Sequence, residues 1–148
     1  MIWFEDLKVG NSTRFGARTV TREEVIDFAT QFDPQPFHLD DEAAAKTPFG
    51  KLAASGWHTG AMVMRMMVDY WTERQFMGVG SPGLDELRWL KPVFPGDTLS
   101  VESRLVDKKE SRSRPERGTV WIDVTVRNQH DEPVMTYRSI VMVMKRPA

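Results

Sequence analysis

Apolar residues recur along this chain first at helical spacing and later at strand spacing. Val25, Ile26, Phe28, Ala29 and Phe32 repeat with a helical period behind Thr21-Arg22-Glu23-Glu24. That tetrapeptide is a capping box, in which a threonine hydroxyl and a glutamate carboxylate satisfy the free amides of a helix start. A helix from about Arg22 to Gln31 is predicted. Asp40-Asp41-Glu42 ahead of Ala43-Ala44-Ala45-Lys46 predicts a second, short one, acidic at the positive end of its dipole and basic at the other. Pro48 and Gly50 end it. The third is long, from about Trp57 to Phe76, and only Arg65, Asp69 and Glu73 form a polar stripe on it. A helix apolar nearly all round is expected to be buried nearly all round, so something must wrap it.

The wrapping elements are legible as period-two segments. Thr13 to Val20 reads as a first strand, and Leu84–Lys91, Thr98–Asp107, Thr119–Asn128 and Val134–Lys145 follow the long helix. In the fourth of these five, Val120, Ile122, Val124 and Val126 alternate with Trp121, Asp123, Thr125 and Arg127. The connections are Pro92–Asp97, a charged stretch Lys108–Gly118, and Gln129–Pro133. Strands joined in this way predict an antiparallel meander. The fold class is α+β, a curved antiparallel sheet wrapped around one long central helix, and residues 1–148 form a single domain.

Composition narrows the classes of function. Twenty basic residues against 21 acidic ones leave no field that would draw nucleic acid or an anionic membrane. The absence of cysteine removes disulfides, thiolate metal sites and a cysteine nucleophile together. Glu5 and Asp6 stand where a signal peptide would carry basic residues, and Arg65 and Asp69 interrupt the longest apolar run. A cytoplasmic protein with no membrane partner is expected.

The candidate chemistry lies in Asp33-Pro34-Gln35-Pro36-Phe37-His38, with Leu39-Asp40 behind it. Pro34 and Pro36 fix their own φ and push Asp33 and Gln35 away from the helical region, so the segment is a stiff bend. A stiff bend suits two side chains that must hold one geometry. Extended, the stretch would hold its ends up to about 17 Å apart, so carboxylate and imidazole meet only if the chain turns near Pro34-Gln35. No metal site is expected, because Asp40 and Asp41 are accounted for as helix-start residues and no second histidine converges on them.

This segment resembles the hydratase motif of the MaoC-like dehydratases, the (R)-specific enoyl-CoA hydratase group of the hot-dog fold. Phe49-Gly50-Lys51-Leu52-Ala53-Ala54-Ser55-Gly56 is similar to the segment by which that family enters its central helix. Pro92-Val93-Phe94-Pro95-Gly96-Asp97-Thr98-Leu99 is similar to its strand connection. Gln35 replaces the family's usual asparagine and Ser55 its usual histidine; His58, two residues beyond Gly56, has no role in the motif.

The resemblance implies an enzyme, a hydro-lyase that interconverts a trans-2-enoyl-CoA and an (R)-3-hydroxyacyl-CoA, with coenzyme A entering as part of the substrate and no other cofactor. It implies Asp33 and His38 as the groups that hold the water and exchange protons, which of them is the base being open. It also implies the Gly56 N–H as the donor to the thioester oxygen. Gln35, Phe37, Ser55 and Trp57 are expected to bind substrate. A hot-dog thioesterase and a non-catalytic acyl-CoA-binding subunit are the alternatives. Lys108–Arg117 is expected to be a solvated hairpin, with contact to coenzyme A phosphates as its other reading. A homodimer, or a dimer of dimers, is expected, because one curved sheet leaves an open edge and an exposed flank of helix.

Overall fold

The computed structural model describes residues 1–148. In chain order its elements are β1 (Ser12–Thr19), α1 (Arg22–Phe32), α2 (Asp41–Ala45), α3 (Gly56–Glu73), β2 (Gly78–Trp89), β3 (Thr98–Glu110), β4 (Arg117–Arg127) and β5 (Pro133–Met144), with single 3-10 turns at Phe4–Asp6 and Pro36–His38. The predicted capping box forms at α1: the Glu24 amide donates to the Thr21 hydroxyl at 3.2 Å and the Thr21 amide to the Glu24 carboxylate at 3.1 Å. Asp40 caps α2 through the Ala43 amide. Asp41 does something else. Its carboxylate accepts from the Leu52 amide at 2.9 Å and pairs with Arg22, tying α1 to the chain that enters α3.

The five strands form one antiparallel sheet in the order β1-β3-β4-β5-β2, curved over α3. Only β3, β4 and β5 form a meander. The expectation that β2 would join it is corrected, because β2 lies at the far edge beside β5. The proline-rich connection Leu90–Asp97 explains the crossing. The Leu90 amide bonds Val134 at the start of β5, and the Val93 carbonyl accepts from Ala54. Gly96 and Asp97 then pair with Val20 beyond β1. The connection is stitched across the end of the sheet instead of turning back on itself.

β2 begins at Gly78, upstream of its expected start at Leu84. Gly78, Gly80, Pro82 and Gly83 are poor residues for a central strand, and the strand they form is an edge strand with repeated register shifts, where such residues are tolerated. β4 buries Val120, Ile122, Val124 and Val126 and leaves the alternate positions partly open, as its pattern predicts. With β5 and the inner face of α3 these four residues form much of the core.

Two features of α3 differ from expectation. The helix ends at Glu73, and Gln75, with φ 51°, turns the chain so that Phe76 packs on Trp71 and bridges to Ile2. One face alone is buried, through His58, Thr59, Met62, Val63, Met66 and Met67. Trp57, Met64 and Val68 remain 64%, 47% and 43% exposed. The single sheet covers one side of the helix, which is why an apolar circumference does not become a buried one.

The charged hairpin shortens to Ser111–Glu116, since Lys108–Glu110 and Arg117–Gly118 join the strands. It lies at the end of the sheet opposite the Leu90–Val134 contact. Lys108 points inward, its ammonium donating to the carbonyls of Phe4 and Leu7. Beside it Arg146 binds Glu5 through its amide and Asp6 through its guanidinium, so the first and last segments of the chain are tied together. No helix is long and apolar enough to cross a membrane.

Candidate active site

The bend after α1 makes the turn that the sequence permitted. The Asp33 amide closes α1 onto Ala29, the Gln35 amide bonds the Asp33 carbonyl at 2.8 Å, and the His38 amide bonds the Gln35 carbonyl at 2.9 Å. Asp33 sits at φ −152°, ψ 65° and Gln35 is extended, as residues before proline should be. The result brings His38 Nε2 to 3.4 Å from Asp33 Oδ2, with the histidine buried and the aspartate mostly so.

Each member of the pair is fixed by a second partner. His38 Nδ1 lies 2.7 Å from the Ala53 carbonyl. A carbonyl oxygen only accepts, so Nδ1 carries a proton and Nε2 is the nitrogen that can gain or lose one. Phe37 packs edge-on against the imidazole at 4.6 Å, and Phe49 packs against both rings, 5.3 Å from Phe37 and 5.9 Å from His38. Asp33 is held at both oxygens: Ser55 Oγ donates to Oδ2 at 2.7 Å and Gln35 Nε2 to Oδ1 at 2.7 Å. Burial pushes its pKa up, but the Ser55 and Gln35 hydrogen bonds and the nearby His38 outweigh this and hold the carboxyl below its usual range. The site keeps an anion beside an imidazole.

The pair opens into a cavity of about 430 Å³ lined by Gln35, Phe49, Ser55, Gly56, Trp57 and Trp89 among others, with Leu90, Lys91 and Val93 completing one wall. The start of α3 forms another. No side chain caps this helix, because the Ser55 hydroxyl is engaged by Asp33. Its first-turn N–H groups are therefore left at the positive end of the helix dipole, beside the carboxylate and imidazole.

The candidate residues thus fall in different places. Asp33, His38, Gln35, Ser55, Gly56 and Trp57 all reach the cavity, whereas Phe37 lies behind the imidazole, outside the lining. Ser55 is wholly buried with its hydroxyl on Asp33, and Gln35 likewise directs its amide at Asp33. Gly56 is not held by a left-handed backbone; what fills its side-chain position is the indole of Trp89, whose Cε2 would lie 2.5 Å from an added Cβ. His58 turns away to stack on Phe28 at 4.8 Å, with Nδ1 unpartnered, and burial pushes its pKa down. The Ala53 carbonyl, Trp89 and Lys91 were not singled out in the sequence. A backbone acceptor leaves no residue-type signal, and Trp89 read as an ordinary strand position.

A curved sheet over one long helix, with a carboxylate–imidazole pair beside an uncapped helix start, defines a hot-dog domain of the hydratase type. The chain belongs to the MaoC-like dehydratase family: residues 6–128 match the family described as MaoC like domain. The crystal structure of the MaoC-like dehydratase from Rhodospirillum rubrum is 40% identical, covers 100% of each chain and superposes with a TM-score of 0.91. The 3-hydroxyacyl-thioester dehydratase Z of Mycobacterium tuberculosis is 32% identical over 83% of this chain and 82% of its own. The 3-hydroxybutyryl-CoA dehydratase of Methylorubrum extorquens is 28% identical over 99% of this chain and 87% of its own. Three other curated relatives are longer, and this chain spans 20%, 36% and 18% of their length.

Proposed function

We propose that this protein is an acyl-thioester hydro-lyase that adds water to a trans-2-enoyl-CoA to give an (R)-3-hydroxyacyl-CoA, or runs the reverse. The observation that carries the reading is the 3.4 Å approach of His38 Nε2 to Asp33 Oδ2 at the wall of the 430 Å³ cavity. Asp33, held as an anion by Ser55 and Gln35, orients a water. His38 Nε2 takes one of its protons as the oxygen bonds to C3 of the substrate. The electron pair of the double bond moves toward the thioester carbonyl, and the Gly56 N–H donates to the oxygen on which charge develops. The imidazolium then returns a proton to C2, so that one water has been added and the site is restored. Family membership and the acyl-thioester relatives support the reaction class.

A thioesterase reading would call for a carboxylate from the long helix at the cavity. Asp69 is paired with Arg65 on the outer face of α3, and neither Asp69 nor Glu73 lines the cavity. The test is to follow crotonyl-CoA and longer enoyl-CoAs for loss of the enoyl absorbance and, separately, for free thiol. Loss of absorbance without thiol is expected. Thiol release would make the protein a thioesterase, and neither signal would leave an acyl-CoA-binding subunit.

The working unit in this reading is a homodimer. Met64 and Val68 on α3, and Val79, Leu84, Trp89 and Leu90 on and beside β2, are exposed apolar residues, and β2 leaves a sheet edge open. A second copy is the occupant that would cover both while extending the sheet. Light scattering at micromolar concentration should give at least twice the 17.0 kDa of one chain. A monomeric mass would count against the pairing.

A further inference from the structure

Trp89 stands on the edge strand, far from Asp33 in sequence, and makes two contacts with one residue. Its Nε1–H donates to the Gly56 carbonyl at 2.9 Å. Its ring also occupies the space a residue-56 side chain would need, with Cε2, Cδ2 and Nε1 at 2.5, 2.7 and 2.7 Å from an added Cβ. Such approaches leave no room for even a methyl group. Trp57 closes on the same indole edge to face, with ring centroids 5.1 Å apart. The first turn of α3 is therefore gripped from the β2 side by a single indole.

We infer that Trp89 is a positioning residue for the oxyanion donors at the start of α3, and that its indole is the reason residue 56 is glycine. The Gly56 carbonyl and the Trp57 N–H belong to one peptide unit, so a hydrogen bond into that carbonyl polarises that N–H. The preceding unit is set in the same way: the Ser55 carbonyl accepts from the Thr59 amide at 3.0 Å and orients the Gly56 N–H. Trp89 thus fixes the direction of one donor and the packing of its neighbour without touching substrate through either contact. It rests on the hydration chemistry proposed above, which gives the Gly56 amide an oxygen to meet; the Trp57 amide is added here as a second donor to that oxygen.

The contact predicts a particular form of non-additivity. Gly56→Ala should lower kcat by about 10²-fold, within the range for losing one oxyanion donor, because the new methyl displaces the indole and with it the turn. Trp89→Phe keeps an aromatic ring on the strand but deletes the N–H and shortens the side chain. It should lower kcat about tenfold and leave KM within about twofold, as expected for an interaction that matters mainly in the transition state. Trp89→Ala empties that space, so Gly56→Ala combined with Trp89→Ala removes the collision and should fall no further than Trp89→Ala alone. A double variant with the product of the two losses, or a Gly56→Ala enzyme with full turnover, would overturn the assignment.

A second readout does not depend on turnover. In amide NMR spectra Trp89→Phe should shift the Gly56 and Trp57 resonances well beyond those of the last turn of α3. Unshifted Gly56 and Trp57 amides would also overturn it. If the wild-type protein hydrates no enoyl thioester while those shifts appear, the hydration reading fails and the positioning contact stands.

Discussion

His38→Ala and Asp33→Asn are each expected to lower kcat/KM for enoyl-CoA hydration by about 10³-fold, and the double variant by little more. Proton transfer by a positioned side chain contributes about 10²–10⁴-fold, so a site with one proton-exchanging nitrogen should lose most of that range with it. That nitrogen is His38 Nε2, because Nδ1 is committed to the Ala53 carbonyl. Asp33 sits 3.4 Å away with both oxygens engaged and can orient water only while ionised. Two groups acting on one water form a unit, and the loss of either removes what the other does. The alanine removes a buried ring, so circular dichroism must accompany the kinetics to show that the fold survives. Independent losses of a few-fold each, multiplying in the double variant, would reduce both residues to binding roles.

Ser55→Ala should reduce kcat by about 10- to 100-fold, matching a charge-assisted hydrogen bond worth about 1.5–3 kcal/mol. It should also move the acid limb of the pH profile. Burial raises the Asp33 pKa, while the hydrogen bonds from Ser55 and Gln35, and then His38, lower it further than burial raises it. The anion therefore persists below the usual carboxylate range in the wild type. Deleting the Ser55 hydroxyl removes the leading downward influence, so the acid limb should shift to higher pH. Stability follows the same sign: a carboxyl whose folded pKa is depressed contributes stability above its unfolded pKa and loses it as pH falls through the folded value. Ser55→Ala should shrink that contribution near neutral pH and leave the fully protonated protein little changed by this group. An acid limb that stays in place while kcat falls would mean that Ser55 acts through packing alone.

Much of this site was legible because its determinants are local. The two prolines force a bend, and a bend between Asp33 and His38 is enough to bring them together. The capping box set the start of α1, and period-two alternation set β4. What was not legible depended on distant parts of the chain. Ser55 lay beside Gly56 in a segment read as substrate-facing, yet its hydroxyl meets a carboxylate from the end of α1. Trp89 reaches Gly56 only because β2 crosses to the far edge beside β5, and no local pattern specifies strand order. The expectation that α3 is buried nearly all round failed for a similar reason: hydrophobicity says that a face seeks cover but not that one sheet supplies it.

The ties at the ends of the chain bear on how freely its connectivity can be rewritten. Arg146 holds Glu5 and Asp6, while Asp33, His38, Ser55, Gly56 and Trp89 all come from the uninterrupted stretch between Asp33 and Val93. A short flexible linker from Ala148 back to Met1, with new ends opened in the exposed Ser111–Glu116 hairpin, cuts none of that stretch and no strand. The order in which this chain is translated is thus separable from the arrangement that forms its cavity. A circularly permuted molecule beginning with β4 and ending with β3 should enclose the same one.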